Sequence, residues 1–269
     1  MQYESIKSSL DKFFSGPLFM RKLLYCSLDL LLLRTWHVKR AIRRLRHELD
    51  THSVILDAGS GFGQYTWRMS KMNGSWKIKG VDINRDHIEN CSSFFNRAGL
   101  SSRVTFQTAD LALYTDEANY NMILSVDVME HIKEDEKVFL NFYKSLKAGG
   151  ILLISTPSDK GGSDVHEGHE HSFIDEHVRT GYGTDEITGK LLKAGFTKVE
   201  SSYTYGPPGS LSWHLSMKYP VKMLNRSYLF FIILPFYYLV FFPVSVILNF
   251  LDLVLKHKTG TGLLVIARK

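Results

Sequence analysis

The chain has 269 residues, 44% of them apolar, a net charge of +6 and two cysteines, Cys26 and Cys91. That is apolar material enough for one large α/β domain with appendages, and too little cysteine for a disulfide framework, so a reducing cytoplasmic setting is expected. Residues 1–50 hold ten Lys and Arg against five acids, so five of the six net charges belong to an N-terminal appendage and the body is nearly neutral. The first twelve residues are polar and mixed in charge, unlike a signal peptide.

Residues 18–33 are apolar and end in Leu30-Leu-Leu-Leu33, but Arg21, Lys22 and Asp29 interrupt them and the run is short for a membrane span. Residues 34–49 follow a helical period, with Val38, Ile42, Leu45 and Leu49 on one face and Lys39, Arg40, Arg43, Arg44 and Arg46 around the rest. Such a helix is either a membrane-surface anchor or a cap on a sheet with a solvated basic face. Strands and helices then alternate. The pattern predicts strands over 53–58, 76–82, 102–108, 121–126, 149–155, 197–204 and 262–267, and helices over 64–72, 84–98, 133–147 and 184–194. This is the pattern of an α/β, Rossmann-like doubly wound sheet with helices on both faces. It divides the chain into an appendage (1–50), a core (51–205), an apolar helical insert (206–258) and a final core strand (259–269).

Within the insert, Ser227 to Leu251 is a run of 25 residues without a charge, bounded by Arg226 and Asp252. Length and hydropathy alone read as a transmembrane helix. Topology argues otherwise, because the strand at 262–267 must rejoin the sheet on the same side, and two crossings need roughly 40 apolar residues. Pro235 and Pro243 would each interrupt a helix. The expectation is two short helices dipping into one leaflet and returning. The alternative is a segment packed on residues 18–33 as a lid, or used as a homodimer interface.

The stretch Val54-Ile-Leu-Asp-Ala-Gly-Ser-Gly-Phe-Gly63 carries a buried strand into a glycine-rich turn, with a helix from Gln64. Gly59, Gly61 and Gly63 clear side chains where a ligand must approach backbone, and the helix behind offers free N–H groups. The order Asp57-x-Gly59-x-Gly61-x-Gly63 is not the G-x-G-x-x-G of dinucleotide sites. Asp82 ends the second strand, 19 residues after Gly63, where an acid accepts from two ribose hydroxyls; otherwise it caps the helix from Asn84. Asn121-Met-Ile-Leu-Ser-Val-Asp-Val-Met-Glu-His131 and Leu146-Lys-Ala-Gly-Gly-Ile-Leu-Leu-Ile154 complete the series. In this order the segments resemble the motifs of the class I S-adenosylmethionine (SAM) methyltransferases, over residues 50–200 and 260–269. The resemblance implies a seven-stranded sheet whose last strand is antiparallel, and SAM as cofactor. It further implies that Asp57 orders the glycine loop around Ser60 and approaches the methionine amino group, with Gln64, Tyr65 and Thr66 at the methionine end. Asp82 and Ile83 would meet the ribose. Asp110 and Leu111 would meet adenine, although a loop aspartate is also a turn former. Ser125 to Val128, including Asp127, would flank the sulfonium.

On the acceptor side, His131 is a candidate general base with Glu130 orienting it. Asp127-x-x-Glu130-His131 also resembles the acid-x-x-Glu-His of ubiquinone-biosynthesis O-methyltransferases, where the group holds a divalent metal; Asp127 stands where that pattern has Glu, which puts Asp127, Glu130 and His131 in doubt as metal ligands. A third reading is that the pair only braces the loop. His166-Glu-Gly-His169-Glu-His171 lies in the loop after the fifth strand, where His169 and His171 bind metal, polarise a substrate hydroxyl, or simply belong to a solvated lid. His177-Val-Arg-x-Gly-Tyr182 resembles a segment of lipid- and quinone-type relatives. Tyr203, Tyr205, Pro207, Pro208 and Trp213 would line the acceptor pocket.

The sequence reading is therefore a SAM-dependent methyltransferase, cytoplasmic and peripherally or monotopically membrane-associated, acting on an apolar lipid-like or isoprenoid/aromatic hydroxyl. The rivals are a phospholipid or aminolipid N-methyltransferase, a soluble O-methyltransferase of aromatic or polyketide products, and a non-catalytic SAM-binding scaffold. Nucleic acid is excluded as partner on the ground that the basic residues adjoin apolar segments and no base-stacking module accompanies them.

Overall fold

The computed structural model describes residues 17–161, 178–227 and 229–269. Two helices lead, α1 (Leu18–Leu31) and α2 (Leu33–Leu45). The core follows as β1 (Val54–Ala58), α3 (Gln64–Met72), β2 (Lys77–Asp82), α4 (Arg85–Arg97), β3 (Val104–Thr108), β4 (Tyr120–Val126), α5 (Asp135–Ser145), β5 (Leu146–Pro157), α6 (Thr184–Lys193) and β6 (Lys198–Thr204). Then come α7 (Pro207–Trp213), a π-helical turn over His214–Lys218, α8 (Tyr219–Arg226), α9 (Phe230–Val254) and β7 (Gly262–Arg268).

The seven strands lie in the order β3-β2-β1-β4-β5-β7-β6. Those from β3 to β5 are parallel, and β7 runs antiparallel to both β5 and β6. Period-two alternation sends successive residues to opposite faces. Ile123, Leu152 and Ile154 pack with Phe139, Phe142 and Ile187 of α5 and α6 on one side. Met122, Leu124, Ile151 and Leu153 pack with Ile42, Phe94 and Phe95 of α2 and α4 on the other. The central strands β1, β4 and β5 thus read as nearly continuous buried runs, whereas the edge strands β3 and β6 are more open. The order reverses between β1 and β4, and the carboxyl ends of those two strands frame the crevice where open α/β sheets bind ligands.

The basic helix predicted over 34–49 is α2 with a short 3₁₀ turn. Val38, Ala41, Ile42 and Leu45 are buried in the core, so α2 is a cap on the sheet rather than a free surface anchor. Arg268 on β7 pairs with Glu48 at 3.0 Å and ties the appendage to the last strand.

The two short helices expected around Pro235 and Pro243 are instead one continuous helix, α9. A proline removes one backbone donor, and α9 is supported along its length by the arm of α7 and α8. Ser212 Oγ donates to the Ser245 carbonyl at 3.1 Å, Tyr237 OH to Leu215 at 2.8 Å and Tyr238 OH to Ser216 at 2.9 Å. The chain thus leaves the sheet through α7–α8 and returns through α9 as a helical hairpin, which brings β7 back to the sheet.

Candidate active site

The glycine turn after β1 has Gly59, Gly61 and Gly63 at φ +76°, +48° and +75°, the left-handed region. Two of them are glycine for different reasons. A Cβ on Gly59 would collide with Val128 Cγ2 in the loop after β4, so Gly59 lets the two crevice loops pack together. A Cβ on Gly61 would meet nothing within 4 Å, so Gly61 opens onto free space. Asp82 Oδ2 accepts the Gly61 N–H at 2.7 Å and its Oδ1 accepts the Asn84 N–H at 2.8 Å. The cap of α4 is Asn84 itself, whose side chain accepts from Asp86 and His87. Asp82 is therefore fixed at the rim of the turn and is not needed as the helix cap.

Asp57 is buried, and the Thr66 hydroxyl donates to its Oδ2 at 2.5 Å, binding β1 to α3. Burial raises its carboxyl to about 6 against the pull of the Thr66 bonds, with the Asp82 charge adding to the rise. Asp110 turns its Oδ1 to the Ala112 N–H at 2.8 Å, while Leu111 is buried and Ile83 stands 72% exposed at the crevice edge. Ser60 and Ser125 are buried.

After β4, Asp127 takes φ +51° and its carboxylate pairs with Arg34 of α2. The Arg34 N–H donates to Tyr205 OH at 2.9 Å, and Tyr205 itself sits at φ +55°. Thr35 Oγ1 lies 3.4 Å from Tyr65 OH, and Gln64 Nε2 donates to Asp29 Oδ1 at 2.9 Å. Glu130 is buried and accepts from Thr156 Oγ1 at 3.1 Å; burial raises its carboxyl, opposed by the neighbouring His131 and Arg34 charges. His131 follows it in the 3₁₀ turn Met129–His131.

The structure thus brings Asp57, Ser60, Asp82, Ser125, Asp127, Glu130 and His131 to one crevice. His169 and His171 lie outside the described residues. Among the described residues no three His, Cys, Asp or Glu side chains converge to hold a metal. Asp127 is turned to Arg34 and Glu130 to Thr156, so with His131 they do not form a donor set.

Sequence reasoning missed the appendage's contribution. Arg34 and Thr35 belong to no motif, and only the helix-turn of Leu32 brings them over β4. Arg21, which interrupts an apolar run in the sequence, is wholly buried. Its guanidinium donates to the Phe62 carbonyl at 2.8 Å, the Asn90 carbonyl at 3.0 Å and Tyr25 OH at 2.7 Å, and lies 4.6 Å over the Phe94 ring. Tyr25 OH also donates to the Phe62 carbonyl. Phe62 is the residue between Gly61 and Gly63, so α1 holds the glycine turn from behind.

A family model described as a methyltransferase domain matches residues 49–192, more than half of the chain. The chain is a class I SAM-dependent methyltransferase. The methyltransferase is 34% identical over 151 residues to phosphoethanolamine N-methyltransferase 1 of Arabidopsis thaliana, covering 54% of this chain and 29% of that protein. It is 24% identical over 183 residues to sterol 24-C-methyltransferase of Kluyveromyces lactis, covering 66% and 49%. The chain thus spans no more than about half the length of these relatives. Among solved structures, phosphoethanolamine N-methyltransferase 2 of Haemonchus contortus in complex with SAM shares the fold at TM-score 0.61 and 18% identity, over 87% of this chain and 52% of that one. The crevice suits SAM on the structure's own terms: Gly61 opens onto free space, and the Ser60 and Ser125 hydroxyls are buried there without a hydrogen-bond partner among the described residues.

Proposed function

We propose that this methyltransferase modifies an apolar, lipid-like acceptor at a membrane surface, an isoprenoid or aromatic hydroxyl being the first choice. The observation that carries the reading is α9. It has a mean hydropathy of 2.3 over an 18-residue stretch of which only 6% is buried, and its Asp252 reaches Tyr205. A core helix of a soluble enzyme would be covered. Asp252, in the last turn of α9, is wholly buried and accepts from His37 Nε2 at 2.8 Å, the Tyr205 N–H at 3.2 Å and the Gly209 N–H at 3.0 Å. Tyr205 in turn contacts Arg34, which pairs with Asp127. The exposed apolar hairpin and the mouth of the site are therefore one packed unit.

Bound SAM supplies an electrophilic methyl group on its sulfonium. In this reading Asp82 and Ile83 receive the ribose, and Asp110 with Leu111 the adenine. Gly59 to Gly63 accommodate the methionine portion, with Asp57 bracing the turn through Thr66, Ser60 within it and Tyr65 behind it. Ser125 and Asp127 stand at the sulfonium. His131 removes the acceptor proton while Glu130, held by Thr156, fixes the 3₁₀ turn that carries it. For His169 and His171 the proposed role is polarising the substrate hydroxyl.

A second reading, N-methylation of an aminolipid, is favoured by the relatives named as phosphoethanolamine N-methyltransferases and needs no base for a neutral amine. Native mass spectrometry of detergent-extracted protein tests both. Co-purified SAM or S-adenosylhomocysteine with an isoprenoid or aromatic lipid supports the first, and an aminolipid supports the second. Cofactor alone, from protein that never needed detergent, contradicts the membrane setting of each.

A further inference from the structure

We propose that residues 207–258 form a platform that lies flat on an anionic membrane, with the outer face of α9 among the acyl chains and the lysines and arginine of the hairpin among the head groups. This rests on the membrane reading above and adds the orientation and the lipid class.

The outer stripe of α9 is formed by Ile232, Phe236, Leu239, Val240, Ile247, Phe250 and Val254, all exposed. It runs about 33 Å at 1.5 Å per residue. The inner side, with Leu234, Ser245, Asn249 and Asp252, is buried. Hydrogen bonds from Tyr237, Tyr238 and Ser212 fasten that inner side to the outgoing arm. α9 cannot enter a membrane tip first without the arm entering with it.

The arm is not apolar. It carries Lys218, Lys222 and Arg226, the last two near the tip of the hairpin. Insertion tip first, whether as a crossing or as a dip into one leaflet, drives Lys222 and Arg226 into hydrocarbon, which is strongly unfavourable. Lying flat avoids this. The apolar stripe enters sideways and the long basic side chains stay at the water boundary.

Charge selects the partner. Across residues 207–258 there are five Lys and Arg (Lys218, Lys222, Arg226, Lys256, Lys258) and a single acid, Asp252. Asp252 is wholly buried, so the exposed charge flanking both ends of α9 is cationic. A second copy docked face to face would set these cations against their own kind, whereas an anionic head-group layer neutralises them.

The test uses the full chain with vesicles of phosphatidylcholine alone or with 30% phosphatidylglycerol. Co-flotation is expected on the anionic vesicles and should weaken in high salt. K222Q/R226Q is expected to lower vesicle affinity by more than tenfold, at roughly fivefold per charge, with SAM affinity unchanged as the folding control. Environment-sensitive labels at F236C and I247C, on a Cys26→Ser background, should report equal depth, and one at K222C should stay at the water boundary. A deep 236 with a shallow 247 overturns the flat orientation. Equal flotation on neutral vesicles overturns the lipid class. A vesicle-indifferent dimer overturns the platform. The platform and the proposed activity fail separately: vesicle binding without lipid methylation supports the platform and sinks the acceptor reading, while lipid methylation in detergent with no vesicle binding does the reverse.

Discussion

Arg21→Met should weaken cofactor binding from a helix that the methyltransferase-domain match does not reach. Besides the bond to Tyr25 OH, the substitution removes charge-assisted bonds to two carbonyls, those of Phe62 and Asn90, but leaves a side chain to cover Phe94. Two such bonds at the low end of roughly 1.5–3 kcal/mol each give about 3 kcal/mol of lost stability. At roughly 2–4 °C per kcal/mol for a domain near this size, Tm should fall by about 6–12 °C. Phe62 keeps its bond from Tyr25, so the turn is loosened rather than lost. If the Phe62 bond is the share that cofactor binding feels, about 1.5 kcal/mol, Kd for SAM rises roughly tenfold. Calorimetric titration with SAM well below Tm measures this, beside Arg21→Lys, which should recover part of the loss. Phe196→Leu, in the core on the opposite face, serves as the control for general destabilisation. An unchanged Kd in Arg21→Met, or an equal rise in the control, would refute the clamp.

Three further outcomes follow from the site. Gly61→Ala should cost about 1–2 kcal/mol in backbone strain and weaken SAM binding, because its Cβ enters the open cradle, whereas Gly59→Ala should disrupt folding through Val128; thermal melts and titrations on both separate the two. Asp57→Asn should stabilise the fold while weakening SAM binding. A carboxyl raised to about 6 when folded binds its proton more tightly there than in the unfolded chain, near 3.9, so wild-type stability falls as pH climbs from about 4 to 6 and is flat above. The variant should therefore gain up to about 3 kcal/mol at pH 7, vanishing below pH 4, as melts across that range would show. His131→Ala should slow transfer to a hydroxyl by about 10²–10⁴-fold with SAM affinity retained, and an unchanged rate would remove His131 as the base.

Much of this was legible in the sequence. Buried parallel strands write themselves as short apolar runs between turn residues, so β1 and β4 lie within a residue or two of their expected positions. The glycine turn and Asp82 were legible because cofactor chemistry constrains them locally. Arg21 and Arg34 were not, since, Tyr25 apart, the partners named for them lie 41 or more residues away and nothing local distinguishes them from solvated cations. The continuity of α9 through Pro235 and Pro243 was missed for a similar reason: the local rule counts the lost hydrogen bond, while the support comes from the arm packed along the helix. β5 starts at Leu146, inside the expected helix, because Leu146 pairs with Tyr120 across a register shift.

The most direct test of methyl transfer to a membrane acceptor uses SAM labelled in its methyl group, with the purified enzyme and anionic vesicles charged with a total lipid extract. Label is expected in an organic-phase lipid, only when vesicles are present, and lost in His131→Ala if the acceptor atom is oxygen. Label confined to a water-soluble product, formed equally well without vesicles, would contradict it.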